Sequence, residues 1–124
     1  MKFTRELPAP GTFLIRGYEA GRIRVNERII TRSVIVRASE LVLDCLPEDF
    51  AALEQAHFDR LLSFEPEIIL LGTGATLRFP PRELTAYVLA RGVGFEVMDT
   101  PAACRTYNIL VAENRRVVAA LMMI

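Results

Sequence analysis

The chain has 124 residues, 52% of them hydrophobic and 24% charged, which supports a real core and excludes a disordered or low-complexity chain. Fifteen basic residues balance fifteen acidic ones, and a chain that lives on phosphate contacts carries a basic excess, so a dedicated nucleic-acid binder is disfavoured. The charge is unevenly placed: residues 1–39 hold eight basic against three acidic residues, residues 40–67 one against eight, and residues 68–124 six against four. Two solvated faces account for this, and a basic surface for an acidic partner or for lipid headgroups is the sharper alternative.

In chain order, the N-terminus MKFTRELPAPGTF lacks the apolar stretch of a secretory signal. Phe13 to Glu19 is β-prone, Ala20-Gly21 is a turn, and Ile23 to Asn26 returns from it. Asn26-Glu27 turns again before a strand over Ile29 to Val36, and Leu41 to Leu43 is a further short strand. Arg22 and Arg24 alternate with Ile23 and Val25, which gives one wet face. Pro47, Glu48 and Asp49 then mark a helix start, with Phe50, Leu53, His57 and Leu61 as its apolar stripe and Pro66 ending it near Ser63. On that stripe His57 reads as a core or rim histidine rather than a base.

Ile68 to Leu71 is a continuous apolar run before Gly72, the pattern of a strand buried on both faces. A second helix follows Pro80-Pro81, with Leu84, Tyr87 and Val88 on one face and Gly92 as its cap. Phe95 to Met98 is a strand. Asp99 or Thr100 caps a third helix with Pro101 in its first turn and Ala103, Tyr107, Leu110 and Val111 as its apolar face. Val117 to Met122 is the last strand, of undetermined direction. The alternation of strand and helix in the C-terminal half predicts a layered α/β fold, one domain over 1–124, with three helices and additional N-terminal strands. The longest apolar run, Val117 to Ile124, is far short of the about 20 residues a spanning helix needs, so membrane association is at most peripheral.

Two segments concentrate candidate chemistry. In Gly72-Thr73-Gly74-Ala75-Thr76-Leu77-Arg78-Phe79-Pro80 a glycine turn at the end of a buried strand admits a phosphate near Gly72, Thr73 and Gly74, with Arg78 for an anion. The spacing matches neither the dinucleotide fingerprint, which would need glycine at Leu77, nor a Walker loop. A sharp turn against a neighbouring element explains the same glycines. In Asp99-Thr100-Pro101-Ala102-Ala103-Cys104-Arg105-Thr106-Tyr107-Asn108, Asp99 reads as a cap before a catalytic acid. Cys104, one turn into the helix and beside Arg105, is either a thiol of lowered pKa or a small buried hydrophobe. Arg105, Thr106 and Asn108 complete the segment, with Arg105 and Asn108 sharing a helix face as one polar patch. The single histidine and the spacing of Cys45 and Cys104 offer no zinc pattern. No cofactor is implied, and no nucleophile–base arrangement names a catalytic residue.

The succession Leu71-Gly72-Thr73-Gly74, Phe79-Pro80, Gly92-Val93-Gly94, Glu96-Val97-Met98-Asp99-Thr100 and Ala103-Cys104-Arg105-Thr106-Tyr107-Asn108-Ile109-Leu110 resembles a small single-domain family. That family includes the mitochondrial respiratory complex I assembly factor 3, and the adipogenesis-associated domain protein is a more distant relative. The resemblance spans residues 11–122 and is densest over 71–110. It implies a three-layer α/β fold with a mixed central sheet, and a bacterial, largely uncharacterised branch. It also implies a protein-interaction module, an accessory or assembly factor whose partners are respiratory-complex subunits. Without a mitochondrial leader the expected location is cytoplasmic. A two-fold homodimer fits the common pattern of soluble oligomers. The alternative is an anion or small-molecule binder, or an enzyme, with a pocket between the 72–80 loop and the 99–108 helix start.

Overall fold

The structure, a computed structural model, describes residues 9–124. The basic residues Lys2 and Arg5 and the start of the expected leaderless N-terminus lie outside the described residues. Among the described residues, eight strands and three α-helices follow in the order β1 (Ile15–Glu19), β2 (Arg22–Val25), β3 (Arg28–Ile30), β4 (Val34–Arg37), β5 (Glu40–Leu43), α1 (Gln55–Leu62), β6 (Ile68–Thr73), α2 (Arg82–Leu89), β7 (Gly94–Met98), α3 (Thr100–Ala112) and β8 (Val117–Met122).

Five strands form a mixed sheet in the order β5-β4-β8-β6-β7. The last strand, β8, is its centre, parallel to β6 and antiparallel to β4. Because side chains alternate along a strand, its two faces build two cores. Leu70, Ala119, Leu121, Val34 and Val36 face one side, beneath α3 and the β1-β2-β3 sheet. Ile69, Leu71, Val118, Ala120 and Ile35 face the other, beneath α1 and α2. The result is the expected three-layer α/β arrangement with a mixed central sheet. One outer layer combines a helix with the antiparallel β1–β3 sheet.

Two local expectations are corrected. The strand expected over Ile29 to Val36 is two strands, β3 and β4, in different sheets. Ser33 between them is buried, and the Glu48 carboxylate accepts from both its N–H (3.0 and 3.1 Å) and its hydroxyl (3.2 Å). With that donor satisfied by a side chain, the chain leaves one sheet and enters the other without an orphaned amide.

The first helix, expected from Pro47, is also split. A single 3-10 turn over Phe50–Ala52 is capped by Asp49, whose carboxylate accepts from the Ala51 N–H. Leu53 is extended, and α1 starts only after Glu54. There His57 acts as a cap: its Nδ1 accepts from the Glu54 N–H at 3.0 Å, and the Glu54 side chain binds the His57 amide in return.

Candidate functional site

The segment after β6 and the start of α3 meet at the carboxyl ends of the parallel strands, where α/β folds usually hold ligands. Here the meeting is closed by one hydroxyl. Thr100, fully buried, accepts from the Gly74 N–H at 2.8 Å and donates to the Met122 carbonyl at 2.6 Å. Its own N–H donates to the Gly74 carbonyl at 2.9 Å. Three chain segments are thus fastened through a residue that the sequence marks only as a possible cap. Asp99 is the cap itself, accepting from the Ala102 N–H at 2.8 Å.

Gly72 belongs to the same closure. A Cβ there would lie 2.9 Å from Thr100 Oγ1 and 3.1 Å from both Thr100 Cα and Leu121 Cδ2. The glycine therefore admits the helix start against the strand, which is the sharp-turn alternative rather than a phosphate approach. Gly74 has a φ of +97°, with Met123 O 3.2 Å from where a Cβ would sit. The Thr73 hydroxyl folds the loop on itself, donating to the Thr76 carbonyl at 2.7 Å and accepting from the Arg78 N–H at 3.1 Å. The Arg78 guanidinium turns outward and stacks 4.5 Å over the Phe50 ring.

Cys104 is buried. Burial pushes its thiol up to about 12, and the neighbouring Arg105 charge, which works the other way, does not offset it. Of the two sequence alternatives the geometry takes the buried hydrophobe: Cys104 packs with Ala103, Tyr107, Leu70 and Leu121. Cys45 is half-buried, and both thiols are free.

Arg105 and Asn108 do share a face, and that face is turned onto β1. Asn108 Oδ1 accepts from the Ile15 N–H at 2.9 Å, and its Nδ2 donates to the Ile15 carbonyl at 2.7 Å. Arg105 donates to the Tyr18 hydroxyl at 2.6 Å. Between them Tyr107, buried, donates to the Phe13 carbonyl at 2.7 Å. The β1–β2 pairing slips between Ile15 and Gly17, and Asn108 supplies the hydrogen bonds at that irregular point. Thr106 is half-buried.

Of the nine candidate residues, Gly72, Gly74 and Asp99 cluster about Thr100, and Thr73 closes its own loop. Arg105 and Asn108 fasten α3 to β1, Cys104 lies in the core, and Arg78 points outward. Beside the outward Arg78, the loop exposes two large apolar side chains: Leu77 is 50% and Phe79 73% exposed. At the opposite end of the sheet a cleft of about 290 Å³ is bordered by Arg37, Phe64 and Arg116. The Glu67 carboxylate there accepts from the Arg116 N–H and from Arg115 Nε, and the Arg116 amide, ahead of those guanidinium charges, holds it below the usual carboxylate range.

A family model described as a protein of unknown function (DUF498/DUF598) matches residues 15–122. A "13 kDa major membrane protein" of Francisella tularensis is 33% identical over 113 residues, covering 90% of each chain. The NADH dehydrogenase [ubiquinone] 1 alpha subcomplex assembly factor 3 of Danio rerio is 42% identical over 62 residues, which are 50% of this chain and 36% of that protein. A crystal structure of a Bordetella parapertussis protein superposes with a TM-score of 0.85 at 35% identity, covering 93% of this chain and 98% of that one.

Proposed function

The chain belongs to the family of proteins of unknown function DUF498/DUF598, and on that premise we propose that it is a protein-interaction module, an accessory or assembly factor for a membrane-linked complex. The observation that carries this reading is the exposed pair Leu77 and Phe79. They stand on a loop whose backbone is fastened through the Thr73 and Thr100 hydroxyls, so the loop is held in place by bonds that do not involve its apolar side chains. A fastened loop that presents Phe79 to water is explained by a partner that covers it.

Subunits of a respiratory complex are the partner class this reading names. Its support is the likeness to an assembly factor of NADH dehydrogenase and to a protein named for a membrane. Among the described residues no helix is long and apolar enough to cross a membrane. The protein in this reading works from the cytoplasm, against the surface of the complex, without a cofactor and without catalysis.

The test is affinity isolation of the tagged chain from its native host in mild detergent, beside a Leu77→Ser, Phe79→Ser variant whose circular dichroism and thermal midpoint match the parent. Recovery of respiratory-complex subunits with the parent and their loss with the variant is the expected result. Recovery of nothing but further copies of the chain, or equal recovery by both proteins, overturns the reading.

A further inference from the structure

The outer layer made by β1–β3 has one face in the core and one in water. Ile15, Ile23, Val25 and Ile30 point inward and are buried. The register sets Gly17, Arg24 and Ile29 side by side on the outer face, with Glu19 opposite Arg22. Arg22 is paired with Glu19. Arg24 donates to the Asn26 carbonyl at 3.1 Å, a contact that leaves its charge uncompensated. Among the described residues Arg16, Arg24 and Arg28 have no carboxylate within ion-pair distance, and Glu27 at the β2–β3 turn is the remaining acid of the layer. Ile29 is 51% exposed opposite Arg24 on this outer face, whereas Arg28 stands opposite Val25, at the rim of the other face. Tyr18, at the rim, is exposed beside Arg105.

We propose that this outer face docks the protein on an anionic lipid bilayer, with Arg24 and, from the slip in β1, Arg16 against the headgroup phosphates and Ile29 entering the headgroup layer. The acidic stretch does not oppose this approach. Its helix, α1, packs on the other side of the five-stranded sheet, and Glu40 and Asp44 are paired with Arg37 and Arg32. A chain of zero net charge therefore presents a positive layer to a negative plane and keeps most of its acids behind it. The shape also chooses the partner. The face is a short, open sheet with a shallow dish over Gly17. A broad surface suits it better than a peptide, which needs a groove. An exposed Ile29 contributes nothing to a nucleic-acid phosphate backbone but gains in the headgroup layer. The proposal uses no residue of the 74–81 loop, so it stands or falls apart from the protein-interaction reading.

The experiment is vesicle flotation of the whole protein with phosphatidylcholine alone and with phosphatidylcholine mixed with phosphatidylglycerol. Binding is expected only to the mixed vesicles and is expected to fall as salt rises. Arg16→Gln with Arg24→Gln, both exposed and therefore tolerated, should weaken binding about thirtyfold. Ile29→Ser should weaken it with unchanged salt dependence. Absence of binding to the mixed vesicles, equal binding to both kinds, or binding untouched by the double variant overturns the proposal. So does tighter binding to polyglutamate or duplex DNA than to the vesicles, which would assign the face to an acidic protein or a nucleic acid. The salt titration of the unaltered protein keeps the test decisive should a variant misfold.

Discussion

Asn108 on α3 holds both backbone groups of Ile15, accepting from its N–H and donating to its carbonyl, at the point where the β1–β2 ladder slips. One side chain thus completes a strand 93 residues away in the chain. Asn108→Ala strands both groups and should lower unfolding free energy by about 2–4 kcal/mol, read from urea denaturation. Asn108→Asp separates the two bonds. Its carboxylate still accepts from the N–H but faces the Ile15 carbonyl, which raises its folded pKa above the unfolded value of about 4. A raised carboxyl pKa contributes stability at low pH that is lost as pH rises through it. The Asp variant should therefore lie closer to the parent in acid than at neutral pH. An equal deficit at both would show that Ile15 does not feel the charge.

The contact between Thr100 and Gly72 is the second test. Thr100→Val keeps the shape but leaves the Gly74 N–H and the Met122 carbonyl without a partner inside the protein, a loss of about 2–4 kcal/mol. Thr100→Ser keeps the hydroxyl and should cost about 1 kcal/mol for the missing methyl. Gly72→Ala drives a Cβ to 2.9 Å from Thr100 Oγ1 and should cost about 1–3 kcal/mol through forced displacement of the helix start. Denaturation midpoints that rank Ser above Val are expected; the reverse order would mean that the hydroxyl closes nothing.

What was legible in the chain follows from how local each signal is. Val117 to Met122 and Ile68 to Leu71 read as strands because both faces are buried, which leaves an unbroken apolar run. The start of α3 was legible because Asp99 and Pro101 announce it within three residues. The split of the expected strand at Ser33 was not, since the Glu48 carboxylate that causes it lies 15 residues on. Leu53 fitted the apolar period of one long helix, and only the reciprocal pairing of Glu54 with His57 shows that the helix begins anew. The same holds for the candidate residues. Arg105 and Asn108 stand three apart on one helix face, and nothing local says that the face meets Ile15 and Tyr18 rather than solvent.

Cys104 should be a slow thiol. With its pKa pushed up to about 12 by burial, almost none of it is thiolate at neutral pH. With dithiodipyridine the native protein should show one prompt equivalent, from half-buried Cys45, and a second only on unfolding. Cys45→Ala should then abolish the prompt phase. A fast second equivalent in the folded protein would restore the nucleophile alternative and place a ligand-accessible thiol at α3.

The same burial fixes how the protein responds to alkali. Desolvation raises Cys104 from 9.0 and Tyr107 from 10.0, and Tyr107 in addition donates to the Phe13 carbonyl, which only its neutral form can do. Both are groups whose folded pKa exceeds the unfolded one. The stability they contribute is complete below the unfolded values and lost as pH climbs toward the folded ones, because the unfolded chain releases protons that the folded chain retains. Urea midpoints should hold from neutral pH to about 9 and then fall. Cys104→Ala should flatten the first part of that fall, and Tyr107→Phe the steeper part above 10.0. Each variant starts from a lower plateau, the first for the lost sulfur contacts and the second for an unpaired Phe13 carbonyl. An alkaline slope identical in parent and variants would place the responsible group elsewhere, first at Tyr87, whose hydroxyl donates to the Asp59 carboxylate and whose pKa that bond raises.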